Sequence, residues 1–155
     1  MPAATRRQRY MEHFVMTSHL PTAREYSSEK AGYAAMTVVD VRSKQAEVTE
    51  VYRNQVLFDV NEDCMRLAVF EGEYRWHKHP GSDELFLVVA GELQIDFADG
   101  SRVALGAWQS VVVPAGTVHR TRAIGRTVNL TFEKQGAETL FTEPPYDSLP
   151  TETPR

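Results

Sequence analysis

The feature that most constrains this chain is a run of short, mostly apolar or alternating segments over its middle two thirds, each cut off by turn chemistry. In order they are "VLFDV", "CMRLAVF", "EYRWHKH", "ELFLVVA", "ELQIDFA", "SRVAL", "QSVVVP", "HRTRAI" and "TVNLTFE". The interruptions fall at Asn61-Glu62-Asp63, Pro80-Gly81-Ser82, Ala90-Gly91, Asp99-Gly100, Pro114-Ala115-Gly116 and Gly125. Segments this short cannot each form a stable helix. Closely spaced strands with Asp-Gly hairpin chemistry predict an all-β sandwich or barrel.

The flanks read differently. Residues 1–37 are polar and form an N-terminal arm, partly helical or extended, in which only "TAREYSSEKAGYAAM" hints at a helix. The barrel is expected over 38–134. Residues 135–155 form a C-terminal tail, and its end, "TEPPYDSLPTETPR", holds four of the eight prolines and is expected to lie on the surface. At 155 residues the chain has room for one substantial core.

Charge and cysteine usage narrow the function classes. A net charge of −4 gives no attraction to nucleic acid or to an anionic membrane. Arg6, Arg7 and Arg9 are followed by no apolar region of the kind a signal peptide needs, and no apolar run has membrane-spanning length. Cys64 is the single cysteine, which excludes an intramolecular disulfide and fits a reducing cytoplasm. We expect it to be a small wall residue with an ordinary, unreactive thiol.

The chemistry concentrates in "EYRWHKHPGSDELFLVVAG", Glu73 to Gly91. With period two along a strand, Arg75, His77 and His79 share one face, and Tyr74, Trp76 and Lys78 share the other. After the "PGSD" turn, a hairpin partner starting at Glu84 brings a carboxylate close to both imidazoles. His119 follows the Pro-Ala-Gly turn at the start of another strand. Three histidines and a carboxylate can converge on a divalent metal, each imidazole offering one nitrogen and anchoring the other. The plainer reading of the same residues is a buried hydrogen-bond cluster. His13 and His19, in the polar leader, read as solvent-exposed.

These residues carry a resemblance. "HKHPGSDELFLVVAG" resembles the first motif of the cupin superfamily: His-x-His, four residues, Glu, six residues, Gly. "GAWQSVVVPAGTVH" resembles the second, with its Gly, Pro-x-Gly and closing His. The combined string looks like small single-domain cupins labelled as related to mannose-6-phosphate isomerase. The gap from Gly106 to Pro114 is longer than usual, and Ala123 stands where many cupins keep Asn, but no ligand position is touched.

The resemblance implies a double-stranded β-helix (jelly-roll) barrel, with His77, His79, Glu84 and His119 as ligands of one metal ion. It also implies Gly91 and Gly116 in turns that tolerate no side chain, and pairing of two chains as a homodimer. Three imidazoles and one carboxylate suit Fe, Mn, Ni, Co or Zn. The expected function is a metal-dependent enzyme acting on a small polar organic molecule, either a dioxygenase or an isomerase or lyase. A non-catalytic module that senses or stores a metal or small molecule is the alternative. Arg75, by parity, is the candidate clamp for a substrate carboxylate or phosphate, or else a rim arginine. Glu73 and Glu92 are general-base candidates if they face the interior. Gln94 and Gln109 are weaker lining candidates.

Overall fold

The computed structural model describes residues 20–145. His13, His19, the three early arginines and the last ten residues lie outside that range. Among the described residues two short helices precede eight strands: α1 Ala23–Ser28, α2 Val41–Ala46, β1 Tyr52–Val60, β2 Asp63–Glu73, β3 His77–Lys78, β4 Glu84–Phe97, β5 Arg102–Leu105, β6 Ser110–Val113, β7 His119–Lys134 and β8 Leu140–Phe141. All strand pairings are antiparallel. The path runs β1-β2-β7-β3-β8, and β4 joins it by pairing with β7 while also carrying β5 and β6. This is the expected all-β jelly-roll barrel.

Two expected turns are bends inside long strands instead. "ELFLVVA" and "ELQIDFA" form the single strand β4, and "HRTRAI" and "TVNLTFE" form β7. Each half of β4 pairs with the opposite half of β7, and the register shifts between them around Ala90. Gly91 makes the bend possible. Its φ is +86°, and a Cβ there would sit 2.6 Å from Thr127 Oγ1 and 2.7 Å from the Arg126 carbonyl. Thr127 Oγ1 accepts from Glu92 N and donates to Glu92 O, fastening the two strands at the bend. A bulge of this kind turns a flat sheet into a curled one without ending the ladder.

Apolar side chains fill both faces of β2. Ala68 and Phe70 join Phe86, Val88, Leu93, Ile95, Leu105, Val113 and Ala123 inside the barrel. Leu67 and Val69, of opposite parity, pack outside with Val48, Leu57 and Val128, where Tyr33 and Val41 cover them. The N-terminal segment therefore acts as a wall, and Gly32 and Tyr33 extend it along β1 by donating to Val56 O and Leu57 O.

Local chemistry explains both helices. Thr22 and Glu25 form a capping box that starts α1, with Thr22 N donating to Glu25 Oε2 at 2.8 Å and Glu25 N to Thr22 Oγ1 at 3.1 Å. Asp40 caps α2 by accepting from the amides of Arg42 and Ser43. The helix hint in "TAREYSSEKAGYAAM" is met over six residues only, while α2 was not anticipated. Within the expected tail of 135–155, β8 pairs with β3 and Thr142 N donates to Trp76 O, while the proline-rich end from residue 146 on lies outside the described residues. No helix among the described residues is long and apolar enough to cross a membrane.

Candidate metal centre

The four expected ligands arrive from three strand ends. β3 presents His77, whose strand partner in β7 is His119, and whose partner in β8 is Phe141. His79 follows one residue after β3, and Glu84 opens β4. The two loops that carry them are tied together: Gly116 N donates to His79 O at 2.9 Å, and Ala115 N donates to Asp83 Oδ1 at 2.8 Å. Gly116 has φ +77° with open space where a Cβ would be, so its requirement is conformational rather than steric.

His77, His79, Glu84 and His119 are all buried, and one ligand atom from each lies within 4.8 Å of the others. The orientation of the rings is informative. His77 Nδ1 faces Arg75 O at 2.7 Å, His79 Nδ1 faces Glu138 O at 3.1 Å, and His119 Nδ1 faces Thr117 O at 2.8 Å. A carbonyl can only accept, so each Nδ1 carries the proton and each neutral ring presents the lone pair of Nε2. Glu84 Oε2 stands 3.3 Å from both His79 Nε2 and His119 Nε2. Those three atoms are buried without a hydrogen-bond partner among the described residues. Buried atoms left without partners at one point are costly, and a divalent cation satisfies all of them together. The cluster therefore fits a metal ion.

Electrostatics agree with that fit. Burial, and then the neighbouring His119, press the His77 pKa down to about 3. His79 moves the opposite way, because although burial opposes its charge, Glu84 and Glu133 carry it up to about 9. The difference is one of neighbours: His79 faces two carboxylates. Burial also opposes ionisation of Glu84, yet the close approach of the His119 and His79 imidazoles holds it well below the usual carboxylate range. In the metal-free centre a proton between His79 and Glu84 is a partial substitute for a cation.

Two buried charges beside the centre were missed by the sequence reading. Arg66, on β2, and Glu133, on β7, form an ion pair at 2.8 Å through Nε and Oε1. Tyr26 of α1 donates its hydroxyl to the same Oε1. Arg66 also donates to Glu29 Oε2 at 3.0 Å and to Tyr26 O at 2.8 Å. Glu133 Oε2 is 3.8 Å from His79 Nε2. Burial, and then the Glu84 carboxylate, push Glu133 up to about 7. The available signal was the inward polar alternation Thr127, Asn129, Thr131, Glu133 in "TVNLTFE", together with a lone arginine in "CMRLAVF".

The remaining candidates fall elsewhere. Strand parity does not extend back from His77, because the backbone leaves strand geometry over Tyr74–Trp76. Tyr74, expected on the opposite face, stands edge-on to His77 with ring centroids 5.1 Å apart. Arg75 donates to Pro21 O, and its guanidinium lies 3.6 Å from the centre of the Phe141 ring. Glu73 pairs with Arg120 at 3.1 Å and Arg122 at 2.9 Å, and Glu92 accepts from Gln94, so neither acid is directed at the histidines. Gln109 Oε1 accepts from Gly106 N. Cys64 is buried and free, and burial raises its thiol to about 11, as expected of an unreactive wall residue.

Comparison with known proteins agrees with this architecture. Residues 65–132 match the family described as a cupin domain. The chain is 55% identical to the uncharacterized protein YdbB of Bacillus subtilis over 97 residues, covering 63% of this chain and 86% of that protein. Among solved structures it is similar to a cupin-2 domain containing protein from Shewanella frigidimarina, with TM-score 0.59, 30% identity, and coverage of 63% of this chain and 94% of the other. A protein with a double-stranded β-helix domain from Klebsiella pneumoniae shares the fold at TM-score 0.58 and 19% identity, with coverage of 68% and 96%.

Proposed function

The chain belongs to the cupin superfamily, and we propose that it is a metal-dependent enzyme acting on a small polar organic molecule, with His77, His79, Glu84 and His119 as the metal ligands. The observation that carries this reading is the locking of three Nδ1 atoms onto backbone carbonyls, which leaves three Nε2 lone pairs and one carboxylate oxygen directed at a common point. The donor set suits Fe, Mn, Ni, Co or Zn, and four protein donors leave positions open on a six-coordinate ion. A bound ion supplies Lewis acidity toward a ligated oxygen or, if redox-active, a site for dioxygen.

The protein's own part is to hold these donors dry and rigid. Tyr26, Tyr74 and Phe86 pack their rings around the imidazoles and exclude water. Arg75 holds Pro21 and Phe141, so using it as a substrate clamp requires release of the Pro21 carbonyl. The buried, free Cys64 supports the expectation of a reducing, cytoplasmic setting.

Homodimer formation is assigned to the outer sheet face. Phe132, Val112 and Trp108 are exposed there at 36%, 50% and 72%, and the nearby arm leaves Met36 and Val38 almost wholly uncovered. An apolar face of this kind is characteristic of an interaction surface. Sedimentation of wild type and Trp108→Asp checks it, and a monomeric wild type overturns it.

Elemental analysis of purified wild type and His77→Ala tests the main reading. Near-stoichiometric metal in the wild type and none in the variant is the expected result, and equal trace metal in both overturns it. An oxygen-uptake and product screen on reconstituted protein then separates the classes. Oxygen consumption with product identifies a dioxygenase, and product without oxygen use identifies an isomerase or lyase. Saturable binding without turnover favours the sensing or storage module.

A further inference from the structure

Glu133 has two carboxylate oxygens in unlike surroundings. Oε1 is taken by the Tyr26 hydroxyl and by Arg66 Nε. Oε2 has no hydrogen-bond partner among the described residues, on a side chain with 0% exposure. The register explains where it points. Cys64 of β2 is the Cα partner of Glu133, and Leu85 pairs with Phe132, so the next antiparallel pair sets Glu84 beside Glu133. The free oxygen is thus at the edge of the cluster, 3.8 Å from His79 Nε2.

His79 cannot satisfy that oxygen once its Nε2 binds a metal, because its proton resides on Nδ1 against Glu138 O. A buried carboxylate oxygen without a donor is rare in native proteins. A ligand that enters the open positions of the centre can bring a donor to this oxygen, which lies 3.8 Å from His79 Nε2.

We infer that Glu133 Oε2 is the substrate-recognition acceptor of this site, selecting a small hydroxyl-bearing oxygen ligand by accepting the hydrogen bond of its O–H group. The inference rests on the metal-site reading above and adds the class of ligand: a hydroxy acid or diol is favoured over an ether of the same shape. Glu133 is fixed for this role because Tyr26 and Arg66 hold the other oxygen and prevent rotation of the carboxylate. Thr131 Oγ1 and Asn129 Oδ1, the preceding inward positions on β7, are also buried without partners and extend the polar wall away from the centre.

The test uses full-length protein reconstituted with Co(II), titrated with glycolate and with methoxyacetate, and read by the visible spectrum of the metal. Wild type is expected to bind glycolate about ten-fold to a hundred-fold more tightly, the range of one hydrogen bond to a charged acceptor. In Glu133→Gln the Tyr26 hydroxyl, which donates to Oε1, and the positive charge of Arg66 beside it hold the amide oxygen at the Oε1 position. The amide NH2 then replaces the acceptor with a donor. The glycolate preference should fall to about one or below, at unchanged metal content. Glu133→Asp, which retracts the acceptor without changing its charge, should lower the preference as well and serves if the glutamine variant does not fold.

An unchanged preference in a folded variant overturns the inference while leaving the metal reading intact. Loss of Co(II) in Glu133→Gln also overturns it, since Glu133 would then be a ligand to the ion. A wild type that takes up no Co(II) overturns the metal reading itself, and the inference with it.

Discussion

Tyr26 lies nearly flat on His79, with ring centroids 5.6 Å apart and planes inclined by 23°. Its other aromatic contact is with the Arg66 guanidinium, 3.8 Å from the ring centre. A six-residue helix therefore places one side chain between the histidine cluster and a buried cation, and Tyr26 is the only residue of α1 that is itself buried. A cavity of about 780 Å³ lies on the far side, lined in part by Pro21, Glu25, Tyr52, Asn54 and Arg66. Tyr26 is thus the layer between that cavity and the histidines.

Removing that layer should expose the centre. In Tyr26→Ala we expect metal release to a chelator to speed up by about ten-fold or more, alongside a stability loss of about 3 kcal/mol from the vacated aromatic site. Stopped-flow transfer of Co(II) to a coloured chelator measures the first, and urea unfolding measures the second. Equal release rates in the two proteins would show that Tyr26 does not cover the centre.

Arg66 is the second point of weakness. Its side chain is 1% exposed, and it is the cation that Glu133 faces. In Arg66→Met a buried carboxylate is left beside Glu84 with only the charge at His79 to offset both, which should destabilise the protein by about 3–5 kcal/mol. The double variant Arg66→Met, Glu133→Leu removes the stranded charge and should recover much of that loss. The urea midpoints of the single and double variants decide it, and a double variant no better than the single one would refute the charge argument.

The cluster of His77, His79, Glu84 and His119 was legible in the sequence because the placement of its members is local. His-x-His sets two side chains on one strand face, and a Pro-Ala-Gly turn starts the strand of His119. Arg66, Glu133 and Tyr26 were not legible as a group because they meet only through cross-strand register and a helix 107 residues away from Glu133. Arg75 and Tyr74 show the opposite failure, where a period-two rule was carried through residues that are not in a strand. Gly91 and Gly125 were read as turns since a local signal cannot tell a turn from a bulge. Only the paired long strand shows that the ladder continues.

The bend itself can be tested at Gly91. An alanine there must adopt φ near +86° and bring its Cβ within 2.6–2.9 Å of Thr127 and Arg126 atoms. Neither strand can shift freely, because Thr127 Oγ1 is bonded to both polar backbone atoms of Glu92. We expect Gly91→Ala to cost about 2–4 kcal/mol, combining left-handed strain with overpacking. Gly116→Ala, with the same sign of φ but open space, should cost about 1–2 kcal/mol from conformation alone. Thermal unfolding of the two variants compares them directly, and equal losses would show that space around Gly91 is not limiting.

The pH dependence of stability separates the metal-free from the metal-loaded protein. In the metal-free state the His79 pKa is raised to about 9, so its contribution is complete below the unfolded value of about 6.5 and disappears as pH rises through 9. Glu133, raised to about 7, acts in the same direction, favouring the folded state below the unfolded value of about 4.3 and losing that effect by pH 7. His77, lowered to about 3, acts in reverse, contributing fully above about 6.5 and losing that contribution as pH falls toward 3. Chelator-treated protein should therefore lose stability between pH 6.5 and 9, on the order of 2–3 kcal/mol from His79. In the loaded protein an ion at His79 Nε2 would take the place of its proton and offset the two carboxylates, so the alkaline loss from His79 vanishes, as does the loss from Glu133 that is complete by about pH 7. Its stability should stay level from pH 6.5 to 9 and fall only on acidification, as the unfolded imidazoles take up protons that the ligated ones cannot. Urea midpoints at pH 6.5 and 9, with and without chelator, give four numbers for this comparison, and an alkaline decline of equal size in both states would contradict a cation at His79.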